Sequence, residues 1–175
     1  MTRVVSVPVE RYPGWLERFT ANNPDGPQRI LSVAEPLPTP LVILLIRRGG
    51  YAVAVLGGSG RLGHKVGKRH VQSRTAAGGW SQQRFARRRE NQADALVTAV
   101  TDHLDRLLRE SGVRPAALVT GGDRRLVAAV LADPRLSALA ELPGREYPAI
   151  GDPRRDELDE IERRATAYEI GIDDG

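Results

Sequence analysis

Leu41-Val42-Ile43-Leu44-Leu45-Ile46 is the longest run of consecutive branched aliphatic residues in the chain. A short run of this kind is typical of a strand that is buried on both faces. The turn Arg48-Gly49-Gly50 then leads directly into Tyr51-Ala52-Val53-Ala54-Val55-Leu56. Two apolar runs joined by a short glycine turn predict a β-hairpin. The segments before and after this hairpin in the sequence then indicate the rest of the fold.

The segments on either side of the hairpin predict an α/β (α+β) domain. Before it, the patterns predict strands at 4–9 and 29–34 and a short amphipathic helix at 11–19. After it, they predict a long helix capped by Ser81 and ended by Gly112, a strand at 115–120, and a helix at 124–132 with Asp123 as its N-cap. This order favours a mixed β-sheet with flanking helices. With 175 residues, we expect one domain over residues 1–175.

Two segments lack apolar periodicity. Residues 57–80 are rich in glycine and basic residues, and we expect a long mobile basic loop there. Residues 152–175 form a predominantly acidic C-terminal tail, for which we expect a surface helix to about Tyr168 followed by a frayed end.

The motif Gly58-Ser59-Gly60-Arg61-Leu62-Gly63 matches the glycine pattern of dinucleotide-binding sites. Such a site needs a helix directly afterwards and an acidic residue about 20 positions further on. The basic stretch 64–70 is not an amphipathic helix, and residues 74–89 contain no acid. A flexible glycine-rich hairpin is therefore the better interpretation.

Positive charge is concentrated in one part of the chain. Residues 61–92 contain nine Lys or Arg and a single acid, Glu90, whereas the other residues contain 17 basic and 21 acidic side chains. Such a concentration is typical of a surface that binds a polyanion, most often nucleic acid. The alternative is a solvated basic loop without a partner.

Composition excludes several kinds of site. The chain contains no cysteine, which rules out a thiolate nucleophile and a Cys-ligated zinc. His64 and His70 have few carboxylates near them in the sequence, so we expect no bound metal. We expect no other cofactor. His103 lies among the apolar residues of the long predicted helix, and we interpret it as a core residue. No apolar run approaches membrane-spanning length. We expect a cytoplasmic protein with no membrane partner.

The most informative segment for chemistry is Gly78-Gly79-Trp80-Ser81-Gln82-Gln83-Arg84-Phe85-Ala86-Arg87-Arg88-Arg89. Adjacent glycines permit a close backbone approach that side chains would block. A neutral glutamine has one acceptor and two donors, so it can position water without acting as a charged base. The arginines can bind phosphates on either side of the loop.

This segment resembles the catalytic loop and following helix of the eukaryotic and archaeal class I peptide-chain release factors. It is more similar to the Vms-like release factors, whose bacterial branch includes short actinobacterial proteins. The decoding factors have Gln directly after Gly-Gly, where this chain has Trp80. The Vms-like group accepts an insertion there, and this resemblance implies that Gln82 would be the functional glutamine, with Gln83 as the alternative.

The resemblance implies the mixed α/β fold of the release-factor catalytic domain and hydrolysis of the ester bond in peptidyl-tRNA. Gly78 and Gly79 would enter the peptidyl-transferase centre, and the Gln82 side chain or a nearby backbone N–H would position water and stabilise the developing oxyanion. The partners would be peptidyl-tRNA and the large ribosomal subunit, without a codon requirement, as in ribosome rescue. The residues expected to contact rRNA and tRNA are Lys65, Lys68, Arg69, Arg74, Arg84, Arg87, Arg88, Arg89 and Trp80, whose ring would stack on a base or fold back as an anchor.

Two other functions remain to be compared with hydrolysis. One is a non-catalytic rRNA- or tRNA-binding module that uses the same basic segment. The other is a nuclease acting near the tRNA acceptor end, which is disfavoured because no carboxylates cluster beside the basic segment to hold two metal ions.

Overall fold

The computed structural model describes residues 1–68 and 80–175, apart from the side chains of residues 80 and 81. The strands and α-helices in this part of the chain are β1 (Thr2–Val7), α1 (Tyr12–Ala21), β2 (Arg29–Ala34), β3 (Leu41–Arg47), β4 (Gly50–Gly57), β5 (Gly60–Lys68), α2 (Trp80–Ser111), β6 (Ala117–Gly122), α3 (Arg124–Leu131), β7 (Gly144–Tyr147), α4 (Arg155–Ala165) and β8 (Tyr168–Asp173). Short 3-10 helices lie at Val9–Arg11 and Ser137–Glu141.

A five-stranded mixed sheet contains the predicted hairpin and has the order β5-β4-β3-β6-β7. β3 pairs antiparallel with β4 and parallel with β6. At the edges of the sheet, β5 pairs antiparallel with β4, and β7 pairs parallel with β6. Residues 41–46 of β3 are completely buried, as their unbroken apolar character predicts. The predicted mixed α/β architecture is confirmed.

Helix α2 packs its apolar stripe on one face of this sheet. The stripe residues Leu96, Val100 and Leu104 are buried in one cluster with side chains of the two central strands. Leu44 of β3 and Val53 of β4 belong to that cluster. Each such side chain contributes roughly 1.5–3 kcal/mol when it is fully removed from water. The helix begins at Trp80, so Ser81, expected as its cap, lies inside it.

Both helix ends that were predicted from glycine and aspartate are confirmed. Gly112 has φ +63°, and its N–H donates to the carbonyl of Leu108 at 3.2 Å. Asp123 caps α3, because its Oδ1 accepts from the N–H of Arg125 at 2.9 Å and from the N–H of Leu126 at 3.2 Å.

At the end of β6, the backbone of Gly122 lies close to the backbone of β3. It has φ +96°, and a Cβ at this position would collide with the carbonyl oxygen of Ile46. The N–H of Asp123 donates to that same oxygen at 2.9 Å. Glycine is therefore needed here for both its backbone conformation and its lack of a side chain.

The expected loop at 57–80 is wrong for residues 60–68, which form strand β5. Residues 58 and 59 make the turn between β4 and β5, so the glycine-rich hairpin is confirmed. The missing periodicity has a packing cause, because neighbours lie close to the glycines of β5. A Cβ on Gly63 would come within 3.0 Å of Leu107, and one on Gly67 would collide with the ring of Tyr51. Residues 69–79 of the expected loop lie outside the described residues.

The expected frayed tail is also wrong, because residues 168–173 form strand β8. β8 is the central strand of a three-stranded antiparallel sheet with the order β1-β8-β2. Its Ile170 and Ile172 are buried with Val7 of β1. The acidic composition of the tail concealed this strand, whose apolar residues alternate with polar ones or glycine.

The chain divides into two compact units. One contains residues 1–38 and 159–175, and the other contains residues 39–158. The first holds the three-stranded sheet and α1, and the second holds the five-stranded sheet with α2 and α3. The expectation of one domain over residues 1–175 stays a prediction.

Candidate nucleic-acid interface

The first half of α2 has no buried side chain among its described residues. From residue 82 to residue 95 every position is exposed or half-buried, and Leu96 is the first buried one. At 1.5 Å per residue, the start of α2 lies about 24 Å along the helix axis from Leu96. Gln82 and Gln83 are both exposed near this start. Away from α3, this half of the helix therefore presents its side chains to the surroundings.

Arg84, Arg87 and Arg88 form one outward basic face. At about 100° per residue, the three lie within about 100° of one another and at least about 120° from the centre of the apolar stripe. All three are exposed, and no described residue forms an ion pair with any of them. Their charges are therefore available to an external anion.

The two glutamines point in different directions. Gln82 lies on the line of the apolar stripe extended toward the start of α2, whereas Gln83 is turned from it by about 100°. Both positions precede the buried part of the helix. Single substitutions therefore test two separate faces of α2.

Arg89 lies apart from the outward basic face. It falls about 20° from the centre of the apolar stripe, and its Nε donates to the carbonyl of Phe85 at 3.4 Å. It lines a cavity of about 340 Å³ together with Arg48, Arg125 and the carboxylate of Asp94. This groove between α2 and α3 was not predicted, because the sequence does not show that turns distant along the chain meet there.

Lys65 and Lys68 lie on β5 rather than in a loop, and they project from opposite faces of the sheet because they are three residues apart. Lys65 pairs with Val53 on the face covered by α2. Burial, and then the charge of Lys65, lower the pKa of His103. His103 is 19 residues after Arg84, which is about 28 Å along the helix. The structure therefore does not bring Lys65 together with the outward basic face.

Lys68 lines a different cavity, of about 250 Å³, with Asp152 and Arg154. His103 is half-buried and stacks on Tyr51 with 5.7 Å between ring centroids, as expected of a structural histidine.

The remaining predicted site residues lie outside the described residues. These are Arg69, Arg74, Gly78 and Gly79, together with the side chain of Trp80. Their expected roles stay predictions.

Other kinds of site find little support in residues 1–68 and 80–175. This part of the chain contains no group of three or more His, Cys, Asp or Glu residues that could hold a metal ion. A groove of about 710 Å³ lies between α3 and β7, but its Arg124 is already paired with Glu146. None of the described helices is both long enough and apolar enough to cross a membrane.

Comparison with protein-family models identifies a relationship for most of the chain. A family model described as the Actinobacteria/chloroflexi VLRF1 release factor matches residues 39–171, which is more than half of the chain. The match begins after β2 and includes all of β3 to α4. No curated protein matches the chain.

Proposed function

The chain belongs to the Actinobacteria/chloroflexi VLRF1 release-factor family, and on this basis we propose that it hydrolyses peptidyl-tRNA in the peptidyl-transferase centre of the large ribosomal subunit. It would act in the cytoplasm and without reading a codon, on stalled large subunits. The observation that carries this proposal is the exposed first half of α2, which follows Gly78-Gly79 directly and presents two glutamines and three outward arginines.

Electrostatics favour RNA as the surface that this half of α2 approaches. Arg84, Arg87 and Arg88 offer bidentate donors that suit phosphate oxygens. The first N–H groups of a helix lack intrahelical acceptors and carry a partial positive charge. Since α2 begins at Trp80, this positive end directly follows the glycine pair.

Ester hydrolysis needs little from the protein beyond positioning. In the proposed reaction, water attacks the carbonyl carbon of the ester that links the peptide to the terminal ribose. The amide oxygen of Gln82 accepts a hydrogen bond from this water, and a donor at the loop stabilises the developing oxyanion. The bond from the acyl carbon to the ribose oxygen then breaks, and the proton lost by water ends on that oxygen. The products are a peptide with a free carboxyl group and a tRNA of unchanged length, and no cofactor is required.

The test is release of labelled peptide from peptidyl-tRNA on isolated large subunits. Gln82→Ala and Gln83→Ala would be compared with wild type and with Asn91→Ala, which removes another exposed amide from the same helix. We expect one glutamine variant to lose release by at least about a hundredfold, the size of effect expected when the attacking water is no longer held in position. Its binding and the length of the tRNA should not change.

The second candidate function is a non-catalytic RNA-binding module, which the outward basic face would serve equally well. It predicts that wild type binds large subunits but frees no peptide, and that neither glutamine variant differs from wild type. A shortened tRNA would instead indicate a nuclease. Either result would refute the hydrolase proposal.

A further inference from the structure

A cavity of about 340 Å³ lies between α2 and α3, beside the exposed first half of α2. Small and apolar side chains from both helices line it: Ala86, Ala93, Val97, Leu126 and Ala129. Its volume falls within the range of about 300–1,000 Å³ that is typical of small-molecule sites. The cavity therefore offers an apolar slot next to the part of the chain that we propose contacts RNA.

The cavity lies at the carboxyl ends of two neighbouring parallel strands, β3 and β6. Arg48 follows the end of β3, Asp123 follows the end of β6, and both residues line the cavity. In the sheet, the chain continues from β3 to β4 on one side and from β6 to β7 on the other. α/β sheets bind ligands in the crevice outside the carboxyl ends of strands that diverge in this way. The position and the volume of the cavity therefore both indicate a ligand site.

Charged side chains of both signs line the cavity without pairing with each other. They are three arginines and two carboxylates: Arg48, Arg89, Arg125, Glu90 and Asp94. None of these five side chains forms an ion pair with a residue in the described part of the chain. Asp123 is a third carboxylate here, but it already accepts hydrogen bonds from two N–H groups of α3. A ligand that matches this lining must bring both acceptors for guanidinium groups and N–H donors for carboxylates.

A nucleotide of RNA brings both kinds of group. Its phosphate accepts from arginine, its base edge donates N–H groups, and its flat faces pack on apolar side chains. A free phosphate would leave Glu90 and Asp94 without a donor. Guanine suits the cavity best among the bases, because N1–H and the 2-amino group can donate to one carboxylate while O6 and N7 accept from arginine. RNA is favoured over a peptide because Arg89 of the cavity directly follows Arg88 of the outward basic face.

We propose that the cavity between α2 and α3 binds one unpaired guanine nucleotide of RNA. The choice of RNA as the source of this nucleotide rests on the proposed function. In this arrangement the outward basic face contacts the backbone of the strand, and one base leaves the strand and enters the cavity. Glu90 and Asp94 accept from the N–H groups of the base, while Arg48 and Arg125 donate to its phosphate.

The first test adds guanosine monophosphate to the full chain and follows the methyl signals of Ala93 and Ala129 by NMR. Both signals should shift as the nucleotide binds. Inosine monophosphate lacks the 2-amino group, and it should bind at least about fivefold more weakly, the discrimination expected from a bidentate base contact. Guanosine, which lacks the phosphate, should also bind more weakly. Equal affinity for the guanine, inosine and uridine monophosphates would indicate a phosphate site only, and no binding up to about 10 mM would indicate no nucleotide site. Either result would overturn the proposal.

Two neighbouring alanines of α3 supply a matched pair of variants. Ala128 and Ala129 are both exposed, but Ala129 lines this cavity, whereas Ala128 lines the groove between α3 and β7. Ala129→Leu fills part of the cavity and should weaken binding of guanosine monophosphate by about tenfold. Ala128→Leu should bind it like wild type, and both variants should melt close to wild type because the positions are exposed. Equal affinity of the two variants would place the nucleotide elsewhere and overturn the proposal.

The role of the carboxylates is tested by Glu90→Gln combined with Asp94→Asn, which removes both charges and changes little in shape. This variant should lose the preference for guanosine over inosine monophosphate. Glu110→Gln is the control, because Glu110 is also an exposed acid on α2 but does not line the cavity. If the double variant keeps the wild-type preference, the carboxylates do not read the base, and the guanine site is refuted.

Binding to isolated large subunits tests RNA as the source of the nucleotide. Ala129→Leu should bind the subunits more weakly than Ala128→Leu does, and equal binding would overturn this part of the proposal. Peptide release in the glutamine experiment is scored independently. If guanosine monophosphate binds as expected and no peptide is released, only the hydrolase proposal fails. If peptide is released and the nucleotide does not bind, only the nucleotide site fails.

Discussion

Replacing Arg84, Arg87 and Arg88 together by alanine should weaken binding to large ribosomal subunits strongly while leaving the fold intact. The three side chains are exposed and form no ion pair with a described residue. They lie in the half of α2 that contributes nothing buried before Leu96. Their loss should therefore leave the melting temperature nearly unchanged.

The size of the effect follows from counterion release. Each phosphate contact contributes about 0.7–0.9 to the slope of log K against log salt. Three contacts therefore account for a slope of about 2–3, and at 0.1 M salt they correspond to an affinity change of about 100- to 500-fold. The estimate assumes one phosphate for each arginine, which the spread of about 100° around the helix permits.

The assay is equilibrium binding to isolated large subunits at several salt concentrations between about 50 and 300 mM, a range in which the counterion term dominates. Arg109→Ala is the matched control, because Arg109 is also exposed on α2 but pairs with Asp105 at 3.1 Å near the other end of the helix. The control should keep the wild-type slope. If the triple variant also keeps the wild-type slope, the outward arginines do not contact phosphates, and the interface must be sought elsewhere.

Two further predictions concern the scaffold. Gly122→Ala should lower the free energy of unfolding by at least about 2 kcal/mol in urea denaturation, because its positive φ and the carbonyl beside it leave no room for a methyl group. Gly49→Ala, which would meet nothing within 4 Å, should change it by less than about 0.5 kcal/mol, and similar losses in both would contradict the packing argument. The pKa of His103 should be below its usual value near 6.5 by NMR titration, and it should rise in Lys65→Met but not in Lys68→Met. Because the pKa of His103 is lower in the folded protein than in the unfolded chain, the unfolded chain binds the proton first as the pH falls. The free energy of unfolding should therefore decrease as the pH falls from about 6.5 to the pKa of His103 in the folded protein. A measured pKa at or above 6.5 would contradict this.

The centre of the fold could be predicted because burial and sequence pattern agree there. Residues 41–46 are apolar without a break and are completely buried, and the glycine turn after them joins two paired strands. The roles of Asp123 and Gly112 could also be predicted, because a side-chain cap and a positive φ each require particular residue types. In these places local chemistry alone determines the structure.

Strands β5, β7 and β8 were not predicted, and in β5 and β8 the reason is that neighbouring elements determine the pattern. In β5, Gly63 and Gly67 stand where Leu107 and Tyr51 pack against the strand, so the apolar alternation expected of a strand is absent. In β8, the alternation is present, but pairing with β1 and β2 over a long sequence separation decides whether it forms a strand. Neither contact can be read from a local window.

The residue types of the candidate site could be identified from the sequence, but the directions in which their side chains point could not. The glutamines and arginines of α2 could be identified from the sequence, whereas the separation of Arg89 from the outward basic face depends on how α2 meets α3. Likewise, the positions of Lys65 and Lys68 on opposite faces of a sheet followed only once β5 was recognised as a strand.

The central position of β8 in the three-stranded sheet also sets the order in which the protein can be completed during its own synthesis. β1 and β2 do not pair with each other; both pair with β8, and residues 35–167 are made between β2 and β8. Because translation proceeds from the N-terminus and domains fold as their residues emerge, β1 and β2 wait with unpaired edges until β8 leaves the ribosome. The strands of the five-stranded sheet are all made before β8, so residues 1–38 are synthesised before residues 39–158 but gain their native strand pairing later.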